Sequence, residues 1–462
     1  MQTIPAIDRP HGRKQRLFTR LSATLMAVLL LGVGAHLAKA QGDPQAFKGN
    51  FAYWFWGEGD VPGMDKWMST MAETYTKLHP DVHITIVSQS NDTLIGGFRL
   101  AAQSRSGPDI DTQWATLPTL VPYWNGASVA ISDYLPASET SQWINTSENT
   151  VGGKIVAMPM YLIGIPIVWN KAMFKQAGLD PDKAPATWDD LLADCAALKA
   201  HGITPIGIGD KDGYGGAWMF SIFFKQQLDS LDQLKAALGD TGAFSMDQLD
   251  DMLRKFYVML QDLVQKGYLN ADVASLDLNQ GGQLFPQKKV AIAFNTDSVV
   301  MSWGQIMGED AFGVAPPPRW GNGKLADTYD VTQSSDEFIT SWANDKAAAA
   351  NFLAWLHQPD NLMSLYKLGA FPADRRFPIS SVTDPLAKRL LELDAAPVSI
   401  WLENFLPPQV DSDADLPAGQ LILSNSGTPD QAVEIWNRVV KQWRLQHPSE
   451  FKQFKTWAAS GG

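Results

Sequence analysis

Short apolar runs alternate with amphipathic helical stretches along most of this chain, which narrows the fold to α/β layers whose sheets are covered on both faces. Phe51 to Trp56 (FAYWFW) reads as a first strand, ending in a Gly-rich turn, Gly57-Glu58-Gly59-Asp60. A helix from near Gly63 then places Trp67, Met71, Tyr75 and Leu78 at helical spacing and stops before His79-Pro80. Val82 to Val87 is the second strand, Leu94 to Ser104 the second helix, and Asp109-Ile110 opens a third strand after Gly107-Pro108. Further strands are expected at Lys154–Met158, Gly164–Trp169, Pro205–Ile208 and Val290–Phe294. Asn170 caps a two-turn helix that Gly178 ends, and Thr187 with Asp190 forms a capping pair for a helix running to about His201. Residues 228–269 read as helical with Gly breaks, and Lys346–His357 and Ala432–Gln446 as later helices. Pro316-Pro317-Pro318 is a stiff connector. No internal repeat or obvious linker divides the chain, so two lobes interleaved in sequence are expected rather than domains in series.

The first forty residues read as an address. Arg13, Lys14, Arg16 and Arg20 precede an apolar run from Leu21 to Leu37, and Ala38-Lys39-Ala40 supplies a small-x-small cleavage pattern, with Gln41 as the mature start. The run is near the length of a membrane span, so a retained anchor is the competing reading. The only cysteine, Cys195, lies far from the cleavage point, so no lipid attaches there. A free secreted protein needs an outer barrier to retain it, which points to a periplasm. One cysteine allows no internal disulfide, and Cys195 shares an apolar helical face with Trp188, Leu191, Leu192 and Leu198, where it reads as a buried small side chain.

The segment carries six basic side chains and one acidic one, so without it the formal charge falls from −12 to −17. Such a surface repels phosphate backbones and anionic headgroups, which argues against nucleic acid and lipid as partners. All 17 tryptophans lie beyond residue 40, more than packing alone asks for.

Residues 150–205 are the most specific stretch. Gly153-Lys154, Pro159, Trp169-Asn170-Lys171, Ala177-Gly178, and Pro185, Thr187, Trp188 and Asp189 follow one another in a pattern that resembles the family 1 extracellular solute-binding proteins of sugar ABC importers. Weaker matches lie in order around it at His79-Pro80-Asp81-Val82, Gly107-Pro108-Asp109-Ile110, the FPQKKVAIAF run from Phe285, and Gly369-Ala370-Phe371-Pro372-Ala373. Most of these residues also have structural roles as caps, helix ends and core. Trp169 stands where the family usually has Tyr, and Tyr329 to Phe338 (YDVTQSSDEF) lacks a Gly-Gly pair that many relatives have. The resemblance implies a two-lobed α/β fold, periplasmic-binding-protein-like of type II, with interleaved lobes and a hinge. Its lobes would be residues 41–161 plus about 334–380, and about 162–333 plus 381–462. The chain would cross between them near Tyr161–Ile165, Val331–Asp336 and Phe377–Pro385.

A pyranose offers C–H faces to aromatic rings and hydroxyl edges to carboxylates and amides. Pockets in open α/β sheets form at the carboxyl ends of strands. Residues combining these features are Trp56 and Glu58 after the first strand, and Gln113 and Trp114 after the third. Asp210, Tyr214 and Trp218 lie in the loop GDKDGYGGAW, and Asn295 and Asp297 follow Val290–Phe294. Ser335 and Asp336 sit in an expected crossing segment, and Trp401 is a sixth place. Each has a plainer reading, as a lid on the core for a strand-end Trp and as a solvated turn or cap for a carboxylate. Asp210-x-Asp212-Gly213 begins like a calcium loop, but the remaining ligands do not follow. No metal spacing among the seven His residues, no G-x-S-x-G elbow and no phosphate loop occurs, so neither cofactor nor metal is expected.

The expected function is capture of a sugar, oligosaccharide or polyol by cleft closure and its delivery to the permease subunits of an ABC importer, by a monomer and without chemistry. The alternatives are the same fold holding a polyamine or metal, and a secreted glycan-active enzyme with a carboxylate pair.

Overall fold

Alternation of side chains about a strand buries Phe51, Tyr53 and Phe55 on one face of Gly49–Phe55 (β1), the first element of the computed structural model, which describes residues 47–395 and 398–459. The signal-segment reading of residues 1–40 lies outside the described residues. Val82–Ser88 (β2) runs parallel to β1 on one side, and Ile110–Gln113 (β3) runs parallel on the other. Among the described residues no helix is long and apolar enough to cross a membrane.

The chain then departs from the expected strand boundaries. Instead of one strand over Lys154–Met158, a small hairpin of Thr150–Val151 (β4) and Lys154–Ile155 (β5) precedes Met158–Gly164 (β6). Gly164 therefore ends one strand rather than opening the next. Pro166 cannot donate to a ladder, and the following strand, Ile167–Asn170 (β7), belongs to a different sheet. Asn170 caps the helix Lys171–Gln176 by accepting from the Met173 N–H at 3.1 Å. Thr187 and Asp190 close a capping box on Trp188–Ala200, in which Cys195 is buried.

Ile206–Gly207 (β8), Ile292–Phe294 (β9) and Phe312–Ala315 (β10) complete a four-stranded sheet in the order β10-β7-β9-β8. Both its faces are covered. Ile167, Trp169, Ile292 and Phe294 join the core beneath the helices Met246–Gln265 and Pro429–Gln446, while Val168 and Ala293 point to a second core with Val300, Trp303 and Leu386.

Tyr329–Ile339 (β11) returns to the first sheet and is buried along its whole length, although most of its residues are polar. It lies antiparallel between β6 and β3, with register shifts against β6 at Gln333/Ser335 and Ser335/Asp336. Phe371–Pro372 (β12) pairs with β6, and Val398–Ser399 (β13) pairs with the start of β11, giving seven strands in the order β12-β6-β11-β3-β1-β2 with β13 beside β11. The chain thus passes from the larger sheet to the smaller at Ile165-Pro166 and back between Ala315 and Tyr329.

Candidate functional site

Five rings converge where the carboxyl ends of β1 and β3 face the segment that follows β8. Trp56 comes directly after β1 and Trp114 directly after β3, and their rings meet edge to face with centroids 5.7 Å apart. The loop expected to hold Tyr214 and Trp218 is in fact the first turns of a helix, Tyr214–Phe223. Gly213, at φ 87, supplies the left-handed entry, and Asp210 accepts from the Gly216 N–H at 2.7 Å, so this acid ties down the helix start. The four-residue spacing then puts Tyr214 and Trp218 on one face. Trp218 meets Trp401 at 5.7 Å, nearly perpendicular, and Trp114 meets Tyr214 at 6.1 Å.

Polar groups fill the gaps between the rings. The lining comprises Asp60, Asn279, Thr332, Ser334, Glu403 and Asn404 with the five aromatics, Gly59, Ile163 and Leu278, and among the described residues no Lys, Arg or His joins it. Asp60 is held from several sides. Its Oδ2 accepts from Tyr161 Oη at 3.4 Å and from Ser334 Oγ, and its carbonyl accepts from Thr296 Oγ1 at 3.2 Å and Ser298 Oγ at 2.5 Å. Burial pushes its carboxyl up to about 6, against the lowering effect of those hydroxyls. Glu403 accepts from Trp401 Nε1 at 3.1 Å, and its own N–H donates to Ser221 Oγ at 3.2 Å. Burial pushes it up to about 7, with Asp60's charge adding to the shift. Asn404 Nδ2 donates to Thr332 Oγ1 at 3.1 Å, and that hydroxyl donates to buried Glu148 at 2.9 Å.

The space enclosed is small, about 40 Å³. That admits a water molecule or two but no sugar ring, so a ligand must part the walls. Outside it a groove of about 570 Å³, lined by Glu58, Gln89, Ser90, Lys211, Asp212 and Gln283, shares Trp56, Gly59 and Asn279 with the inner pocket.

The structure therefore brings Trp56, Trp114, Tyr214, Trp218 and Trp401 together. Glu58 stays in the outer groove, where it accepts from the N–H groups of Gly63 and Asp65 at the head of the helix Met64–Leu78. The other expected residues do not line the pocket. Gln113 Nε2 donates to Asp111 at 2.8 Å and to the Leu94 carbonyl at 3.3 Å. Asn295 accepts from the Thr296 N–H and borders a separate small void behind Trp218 and Leu278. Asp297, the first residue of the helix Asp297–Met307, accepts from the Gly164 N–H at 2.7 Å where the chain leaves the first sheet. Ser335 donates to Glu337 at 2.7 Å, and Asp336 accepts from Asn149 at 2.6 Å. Both lie on buried β11 rather than on an open crossing segment. Asp60, Ser334 and Glu403 were not anticipated. Asp60 and Glu403 each sit within four residues of an expected Trp, so the same strand-end search carried slightly further would have found them.

This architecture and pocket define a class. The chain belongs to the bacterial extracellular solute-binding protein family, whose pattern matches residues 58–363. It is 23% identical over 264 residues, 54% of each chain, to the sn-glycerol-3-phosphate-binding periplasmic protein UgpB of Pectobacterium atrosepticum. It is 26% identical over 252 residues to a probable amino-acid ABC transporter periplasmic-binding protein, y4oP, of Sinorhizobium fredii, covering 48% of this chain and 49% of that one. The matches thus span about half the length of these relatives. Among solved structures, a chitin oligosaccharide binding protein superposes with a TM-score of 0.76 at 18% identity, covering 86% of this chain and 98% of that one. A raffinose complex of the solute-binding protein RafE superposes at 0.69 with 15% identity, covering 85% and 99%. These likenesses show the shared two-lobed α/β fold.

Proposed function

We propose that the protein captures a carbohydrate in the aromatic pocket between its two sheets and delivers it, chemically unchanged, to the permease of an ABC importer. The carrying observation is the lining itself, four Trp rings and a Tyr around carboxylate, amide and hydroxyl groups. Rings cover the C–H faces of a sugar, and the polar groups take its hydroxyls. A phosphorylated ligand of the kind named for the glycerol-phosphate relatives is disfavoured, because Asp60 and Glu403 face the pocket without a basic residue among the lining.

In this reading the lobes are residues 41–161 plus about 334–380 and about 162–333 plus 381–462, each built around one sheet, with β6, β11 and β13 of the larger sheet reaching across the boundary. The protein works as a monomer in the periplasm after loss of residues 1–40. Ligand that touches both lobes favours the closed form by its difference in affinity for the two states. Micromolar capture corresponds to about 8 kcal/mol, which a few stacked rings and satisfied hydrogen bonds supply.

Titration calorimetry against a panel of mono- and oligosaccharides tests the proposal. Saturable binding of at least one saccharide, with no new product on prolonged incubation, is expected. Silence across the panel overturns the carbohydrate reading, and release of a shorter glycan overturns the reading without chemistry.

A further inference from the structure

We propose that the preferred ligand is an amino sugar, its protonated amine met by Glu403 and Asp60. The inference rests on the carbohydrate reading and narrows it. Two carboxylates face the pocket, and among the described residues no basic side chain joins them. Behind Glu403, the turn Asp411–Asp415 brings two further buried acids, whose charges and that of Glu403 act on one another. Among the described residues Asp411 Oδ1 and Asp415 Oδ2 have no hydrogen-bond partner, and none of these four acids forms an ion pair.

A neutral sugar explains only part of this. Its hydroxyls need acceptors at the pocket wall, and Glu403, Asp60, Asn279 and Asn404 provide them. Asp411 and Asp415 are not part of that wall, so they act on a ligand there through their field. Buried acids with no counter-charge raise the cost of ionising one another. A ligand ammonium seated beside Glu403 supplies the missing positive charge. The rings favour the same charge, since Trp56, Trp114, Tyr214, Trp218 and Trp401 surround the site and aromatic faces attract cations.

The test compares three ligands of equal length at pH 7 by calorimetry with the whole protein: a glucosamine disaccharide, its N-acetylated form and a neutral glucose disaccharide. The glucosamine form is expected to bind at least tenfold more tightly than either neutral one. Glu403→Gln keeps an acceptor for Trp401 Nε1 and is expected to erase that preference. Asp411→Asn, which touches no ligand atom, is expected to reduce it. Equal affinities, or tighter neutral binding, overturn the amino-sugar assignment while leaving carbohydrate capture intact. A preference unchanged in both variants overturns the role of the acids, and silence for every saccharide overturns both this inference and the reading beneath it.

Discussion

Trp114 and Tyr214 meet ring to ring, with centroids 6.1 Å apart, although one follows a strand of the seven-stranded sheet and the other opens the helix after a strand of the four-stranded sheet. Their contact spans the pocket and helps keep it at about 40 Å³. A sugar ring seated between these tilted rings has to move them apart, and it then packs against both. Trp114→Ala is therefore expected to weaken binding tenfold or more, about 1.4 kcal/mol, because it removes a stacking surface from the bound state. Calorimetry checks the affinity, and tryptophan fluorescence of the unchanged protein should shift on saturation. Unaltered affinity in the variant would remove this ring from the binding surface.

The segment that presents Tyr214 and Trp218 depends on a close backbone approach. A Cβ on Gly209 would lie 1.9 Å from the Asp277 carbonyl oxygen, and one on Gly281 would lie 2.1 Å from the Gly209 nitrogen. No side chain can yield there, because the obstacles are main-chain atoms. Gly209→Ala is expected to lower stability by roughly 2 kcal/mol or more, as overpacked interiors do, and to reduce the fraction of binding-competent protein. A urea midpoint equal to that of the parent would contradict it.

The rings were legible because strand ends and aromatic residue types can both be read from sequence. Trp56, Trp114 and Trp401 follow runs or turns that any apolar pattern marks. The polar wall was harder. Strand β11 has no apolar alternation to mark it, because a polar chain buried on both faces looks like an open loop, and the resemblance alone places Ser335 and Asp336 in a crossing segment, whereas Thr332 and Ser334 line the pocket. Alternation explains the one-residue difference between Ser334 and Ser335, and the register shift at Ser335/Asp336 explains why Asp336 turns to Asn149. Glu58 lies in the expected turn, but the N–H groups of the helix start claim its carboxylate, while Asp60 two residues on lines the pocket.

Buried acids with raised pKa make the fold sensitive to alkali rather than to acid. Burial first of all pushes Glu148 up to about 8, and Asp210 and Glu337 up to about 7. In this range the folded chain holds more protons than the unfolded one, so each group's contribution is complete below its unfolded value near 4 and is lost as pH climbs through the folded value. The melting temperature is expected to fall between pH 5 and pH 8. Glu148→Gln can still accept from Thr332 Oγ1 and should flatten that decline. A melting temperature that rises over the same interval would refute the account.

The acids Asp297 and Asp394 make the same argument at the point where the chain leaves the larger sheet. A Cβ on Gly164 would lie 2.6 Å from Asp394 Oδ1 and 2.8 Å from Asp297 Oδ2, so both carboxyls crowd one backbone position beside the Tyr329 ring. Burial, then the charge of Asp394, holds Asp297 well above the usual carboxylate range, and burial pushes Asp394 up to about 7. With one proton between them the pair can hydrogen-bond. When pH rises through about 7 Asp394 gives up its proton and Asp297 keeps the one they share, so the fold must hold a proton that the unfolded chain has already released, beside a phenol and, among the described residues, without an ion-pair partner. Asp297→Asn keeps an oxygen for the Gly164 N–H and offers its amide to Asp394 at every pH. The variant is thus expected to match the parent at pH 5 and to melt at higher temperature at pH 8, with sugar affinity changed less than about threefold because Asp297 lies outside the pocket wall. A melting temperature lowered equally at both pH values would show that the carboxylate form is the one the fold requires, and the shared-proton account would fall.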